Sequence, residues 1–119
     1  HHENKEENLV QYQHIAQWHI EQYAYLLNKL KQMPEGEGNV LDHSMIMFGS
    51  GLRDGNRHSP RNLPLVIAGS AGGAIKTGQH LINDTNTPLS NLYCCMLKAF
   101  GTPVEKFADS TELLPGVLA

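Results

Sequence analysis

The sequence predicts an α/β fold: a long N-terminal helix packed on a small, mostly parallel sheet, with a second helix near the C-terminus. Three observations predict it. Apolar residues recur at spacings of three and four through residues 4–32, two short apolar runs flank a polar glycine-rich loop, and a Thr-Pro pair opens a second helical stripe. At 119 residues the chain has room for one domain, 1–119, with a single modest core.

The first helix rests on Leu9, Tyr12, Ala16, Ile20, Tyr23, Leu27 and Leu30, which form one stripe along a helix about 40 Å long at 1.5 Å per residue. Val10, Ile15, Trp18 and Leu26 widen the apolar face, while Glu6, Glu7, Gln11, Gln17, Glu21, Asn28 and Lys29 make the polar side. So long a helix in so small a domain packs across a sheet or against a partner. Pro34 and Glu35-Gly36-Glu37-Gly38-Asn39 end it.

Ser44–Phe48 is a continuous apolar run between turn signals, the pattern of a buried strand in a parallel sheet. Residues 49–62 are too polar and glycine-rich for helix or strand. Leu63–Gly69 is a second buried strand, with Pro64 near its start, where a strand tolerates proline. Ser70–Gly73 reads as a turn, and Ile75–Leu81 as an extended segment, half of a hairpin. Thr87 and Pro88 read as N-cap and first helical residue. Leu89, Leu92, Tyr93, Met96, Leu97 and Phe100 supply the apolar face, and Gly101 is placed to end the helix. The tail, 102–119, reads as mixed loop.

Net charge is −3 and no Lys/Arg run occurs, which argues against a nucleic-acid partner. No apolar stretch approaches the ~18 residues of a transmembrane segment. Cys94 and Cys95 are adjacent, and neighbouring helical residues point apart, so buried free thiols are expected.

Chemistry concentrates in the loop. Glycines at 49, 51 and 55 let backbone approach a ligand, and Arg53 or Arg57, with Ser50 and Asn56, could hold a small anion such as phosphate, sulfate or carboxylate. Asp54 and His58 are candidate metal ligands. Equally, Asp54-Gly55-Asn56 reads as a turn in a hydrogen-bonded connection. His14 and His19, five apart, point to different sides of their helix and cannot share one metal. His43 and His80 sit near strand ends with no further ligand signal, and Ser110 lacks an identifiable base.

Several segments follow one another as in a known family. They include Tyr23–Leu30, Pro34–Gly38, Gly49–His58, Asn62–Leu65, Lys76–Gly78, Thr87–Tyr93 and Phe107–Thr111. They resemble the C-terminal part of the exported bacterial proteins grouped as domain-of-unknown-function family 1552, over nearly the whole chain. More distantly, the order helix, turn, Leu-Asp-x-Ser strand, loop ending in His, Leu-Pro-Leu-Val-Ile-Ala-Gly strand and Thr-Pro-Leu-x-Asn-Leu helix resembles the C-terminal half of the alkaline phosphatase and sulfatase superfamily. That resemblance implies a partial alkaline-phosphatase-like fold, a fragment of a longer parent, and a periplasmic, cell-surface or secreted location. It implies a zinc-ligand role for His58, and for His1 or His2 if those are native rather than remnants of a purification tag.

The departures weigh as much. Gly49-Ser50-Gly51 stands where such phosphatases carry an Asp-His pair, and the resemblance places the nucleophile in a half this chain lacks. The expectation is therefore a non-catalytic fragment or degenerate relative with a binding or assembly role. The alternative is the C-terminal lobe of a metal-dependent phosphate- or sulfate-ester hydrolase, taking zinc or another divalent metal in the full-length parent and inactive as this chain alone. Open sheet edges and an uncovered apolar helix face predict a homo-oligomer.

Overall fold

The structure, a computed structural model, describes residues 2–119. It is mixed α/β: helix α1 (Glu6–Lys31), a hairpin of β1 (Pro34–Glu35) and β2 (Gly38–Asn39), strands β3 (Ile46–Gly49) and β4 (Leu65–Ala68), and helix α2 (Leu89–Ala99). The molecule is a slab of 49 × 37 × 20 Å.

The expected parallel sheet is corrected. β3 and β4 pair antiparallel, with Ile46 opposite Ala68, Met47 opposite Ile67, Phe48 opposite Val66 and Gly49 opposite Leu65. Parallel neighbours need a crossover, usually a helix, to carry the chain back to the starting edge. Residues 50–64 contain none. They fold back on themselves, with the Arg53 N–H on the Ser59 carbonyl at 2.8 Å and the Ser59 N–H on the Asp54 carbonyl at 3.0 Å. The connection is an elaborated hairpin loop. Nor are the strands buried on both faces: Val66 is 53% exposed.

The hairpin's two faces meet different helices. Met47, Leu65 and Ile67 pack on a core of Leu92 and Cys95 from α2 with Leu114 and Val117 from the tail. On the opposite face, Phe48 stacks on Tyr23 of α1 at 5.1 Å between ring centroids. The Tyr23 hydroxyl donates to the Ile46 carbonyl at 2.9 Å. Burial pushes the Tyr23 phenol up, partly offset by the Ala68 backbone.

α1 forms where the periodicity places it, with Glu6 and Glu7 in its first turn and Lys29 and Lys31 in its last, each complementing the helix dipole. It packs less than expected. No residue of α1 is buried; Asn8, Ala16, Tyr23, Leu27 and Leu30 are half-buried toward the body, and the rest face solvent.

α2 begins one residue later than the Thr-Pro pair suggests. Pro88 itself occupies the N-cap, with extended backbone, and Thr87 makes no side-chain cap. Gly101, at φ +87°, closes the helix as expected. Its N–H reaches the Lys98 carbonyl and that of Thr102 reaches Leu97, the paired bonds of a Schellman stop. The tail is not a loose loop. Ile75 bridges Leu118 rather than forming its own hairpin, and Lys76 N–H bonds the Val117 carbonyl at 2.9 Å.

Candidate functional site

The β3–β4 hairpin carries the predicted site at its open end. Asp54 organises it. One carboxylate oxygen accepts the backbone N–H groups of Asn56 at 2.9 Å and Arg57 at 3.1 Å, the turn expected of Asp-Gly-Asn. The other lies 3.8 Å from the Arg57 Nε. Those two N–H groups and the Arg57 charge hold the Asp54 carboxyl below its ordinary range against the pull of partial burial. His58 closes the turn in left-handed backbone, φ +52°.

The N-terminal segment docks onto this loop. The Glu3 N–H donates to the Asn56 side-chain oxygen at 3.1 Å, across 53 residues of sequence. His2, the residue before Glu3, is thereby held near the loop. Its Nδ1 accepts the Asn4 N–H at 3.0 Å, and its carbonyl accepts the Lys5 N–H and the Asn8 side chain. His1 lies outside the described residues.

Of the anion candidates, Asn56 is committed to Glu3, and the Ser50 hydroxyl accepts the Leu52 N–H at 3.2 Å. The Arg53 side chain is exposed, and that of Arg57 is 83% exposed while leaning on Asp54. Among the described residues no three His, Cys, Asp or Glu side chains come together as a group able to hold a metal. A catalytic zinc takes three protein ligands plus water, and one Asp54 oxygen is already occupied by two backbone donors. The described residues do not by themselves make a zinc site.

Two of the other histidines have structural partners. His19 Nδ1 contacts the Ile15 carbonyl at 2.9 Å, one turn back, and His43 Nδ1 pairs with Glu35 at 2.7 Å. Ser110 is buried, its hydroxyl accepting the Phe107 N–H at 2.9 Å. It lines an open cleft of about 320 Å³ with Cys94, Lys98, Glu105 and Glu112. An apolar hollow of about 300 Å³ lies between Met45, Tyr93, Met96, Leu97, Phe100 and Phe107. The α2 periodicity carries most of this second hollow, but nothing in the tail's pattern brings Phe107 to it.

No family model, curated protein or solved structure matches the chain.

Of the remaining surface, α1 carries many of the exposed large apolar side chains. Ile15, Trp18 and Ile20 are each 56% exposed and Tyr25 is 61% exposed, with Leu26 and Val10 also at the surface. No helix of the structure is long and apolar enough to cross a membrane. The flank away from the body carries Trp18 and Tyr25, with Ile15 and Leu26 at its edge, among Glu7, Gln11, Gln22 and Lys29, whereas Ile20 lies on the body-facing side.

Proposed function

We propose that this chain is an assembly lobe, a non-catalytic relative of alkaline phosphatase- and sulfatase-like exported proteins, whose α1 flank is covered by a partner. The observation that carries this reading is a 26-residue helix with no buried residue and a run of aromatic and aliphatic side chains facing water. Single apolar residues are ordinary on surfaces, but Trp18 and Tyr25, with Ile15 and Leu26 beside them on the flank away from the body, give a partner apolar surface to cover. The resemblance of the segments around Gly49–His58 and Thr87–Tyr93 supplies the family. The loss of the Asp-His pair at Gly49-Ser50-Gly51 supplies the absence of catalysis.

A second reading keeps one specific support. The docking of Glu3 on Asn56 puts His2 beside Asp54, within a loop that also carries Arg53, Arg57 and His58. In a longer parent, further ligands could complete a divalent-metal site there and the arginines could hold a phosphate or sulfate ester. Hydrolysis of p-nitrophenyl phosphate and p-nitrophenyl sulfate by the longer parent, with and without added zinc, separates the two. The assembly reading expects no rate above buffer. Hydrolysis that His58→Ala abolishes would overturn it in favour of the hydrolase.

A further inference from the structure

The outer flank of α1 has a seam and a polarity. At 3.6 residues per turn, Glu7, Gln11, Trp18, Gln22, Tyr25 and Lys29 fall within a strip about 60° wide. The strip lies roughly 140° round the helix from Ala16, Tyr23, Leu27 and Leu30, which face the body, so nothing of the same chain needs to move to expose it. Gln11, Trp18, Gln22, Tyr25 and Lys29 follow one another at heptad spacings of seven, four, three and four, with Trp18 and Tyr25 the apolar members and Ile15 and Leu26 at the edge. Its ends are opposite in charge: Glu7 stands eleven residues before Trp18, and Lys29 eleven after.

We infer that the partner of this flank is a second copy of the chain, its α1 packed antiparallel about a two-fold axis at Trp18. The inference rests on the assembly reading and names its partner. In that register Trp18 meets Trp18, Gln11 meets Tyr25, His14 meets Gln22, and Glu7 of each copy meets Lys29 of the other. A parallel pair in register would set Glu7 on Glu7 and Lys29 on Lys29. Charge therefore selects the antiparallel arrangement, and the symmetry makes the patch self-complementary, as a two-fold dimer requires. Lys29 is already poised on the seam, its ammonium 5.4 Å from the Tyr25 ring centroid.

The energetic centre is aromatic. Trp and Tyr dominate interface energetics when their partly exposed rings become covered, and here Trp18 lies on the dyad with Tyr25 within two turns of it. One helix face per copy reaches only the low end of the roughly 1,200–2,000 Å² typical of stable pairs, the range of weak, reversible association. Half a molar salt weakens the dimer, because the two Glu7–Lys29 pairs lie at the exposed ends of the seam.

Sedimentation equilibrium on the full chain tests this with wild type, Trp18→Ala, Glu7→Lys, Lys29→Glu and the combined reversal, helicity being checked by circular dichroism. Each single reversal turns two attractive contacts repulsive and should raise the dissociation constant about 10-fold. The combined reversal should return it to within about threefold of wild type. Both reversals oppose the α1 dipole, so recovery in the combined variant cannot come from a more stable helix. Trp18→Ala should weaken association by about 10-fold or more. A monomer at every concentration, or a dimer indifferent to both reversals, overturns the inference. Neither result touches the hydrolysis test on which the assembly reading separately stands.

Discussion

Asn91, 1% exposed at the third residue of α2, exchanges two hydrogen bonds with Thr111 in the tail. Its side-chain oxygen accepts the Thr111 N–H at 2.9 Å, and its amide donates to the Thr111 hydroxyl at 3.2 Å. One residue earlier, the Ser90 hydroxyl donates to Asp109 at 2.6 Å. These bonds close a loop of some twenty residues against the start of α2. They hold Leu114 and Val117 where they complete the core. Asn91→Ala removes both bonds and strands a backbone N–H, a loss of about 2–3 kcal/mol. Thr111→Ala removes only the weaker side-chain bond and should cost less than about 1 kcal/mol. Urea unfolding of the two variants measures the difference, and equal losses would contradict the assignment.

Tyr23 is the main tie between α1 and the body. Tyr23→Phe keeps the stack on Phe48 and loses the bond to the Ile46 carbonyl, an expected cost of about 1 kcal/mol. The pH dependence has a definite sign. Burial raises the folded phenol above its unfolded value of 10.0, so the neutral form is the one the fold favours. That contribution is complete below the unfolded value and is lost as pH rises through the higher folded one. Thermal melts between pH 8 and pH 11 should show a steeper alkaline loss in wild type than in Tyr23→Phe.

Much of this scaffold is legible in the sequence. The α1 stripe and the Gly101 stop are local, written in residues a turn apart. Strand direction was not. A short apolar run such as Met45–Phe48 reads the same whichever way its partner runs, and its continuity suggested burial on both sides. The deciding signal was a connection, residues 50–64, with no helical stretch to carry a crossover. The tail's role was hidden for a different reason. Ser110, Leu114 and Val117 are buried in irregular chain, interrupted by Pro115 and Gly116, where no period marks an inward face. At the site, the Asp54 turn follows from local chemistry. The docking of Glu3 on Asn56 spans half the chain and has no local signature.

Asp54 holds the loop by accepting two backbone N–H groups in its charged form, so its folded carboxyl lies below the unfolded value of 3.8. The turn's added stability is therefore present above that unfolded value and is lost as pH falls through the lower folded one. Amide hydrogen exchange at Asn56 and Arg57 should accelerate, relative to the α2 amides, on acidification below about pH 4. Asp54→Asn retains an acceptor oxygen but no titration. Its exchange profile at these two amides should be flat over the same range, and an unchanged acid response would remove Asp54 as the cause.

Gly69 ends β4 at φ +87°, directly over the turn that precedes β3. A Cβ there would overlap the Ser44 carbonyl and stand 2.6 Å from the Leu41 carbonyl oxygen. Both obstacles are backbone. They are fixed by the Ala71 N–H on Ser44 and the Gly72 N–H on Asp42. Gly69→Ala therefore combines left-handed strain with a clash that no side-chain rotation relieves, and should cost more than about 3 kcal/mol. Gly101→Ala has the strain without the clash, since nothing lies within 4 Å of the added carbon. It should cost about 1–2 kcal/mol. Comparable urea midpoints for the two variants would count against the close approach.

The adjacent thiols should behave as two different groups. Cys95 is fully buried among Leu92, Leu114 and Val117, and its S–H points to the Leu114 carbonyl at 3.5 Å. Burial raises its pKa, so the reactive thiolate is suppressed in the folded state. Cys94, one residue earlier, is turned about 100° round the helix and lines the open cleft beside Lys98. A small alkylating reagent such as iodoacetamide can approach it through small cleft fluctuations, whereas Cys95 needs the core to open. Peptide mapping after native alkylation at pH 8 should find Cys94 modified first, with Cys95 modified at the rate of global unfolding. Urea should bring the two rates together. Asn91→Ala, which loosens the tail covering Cys95, should accelerate Cys95 far more than Cys94. Equal native rates would mean that the tail does not seal the core as these contacts require.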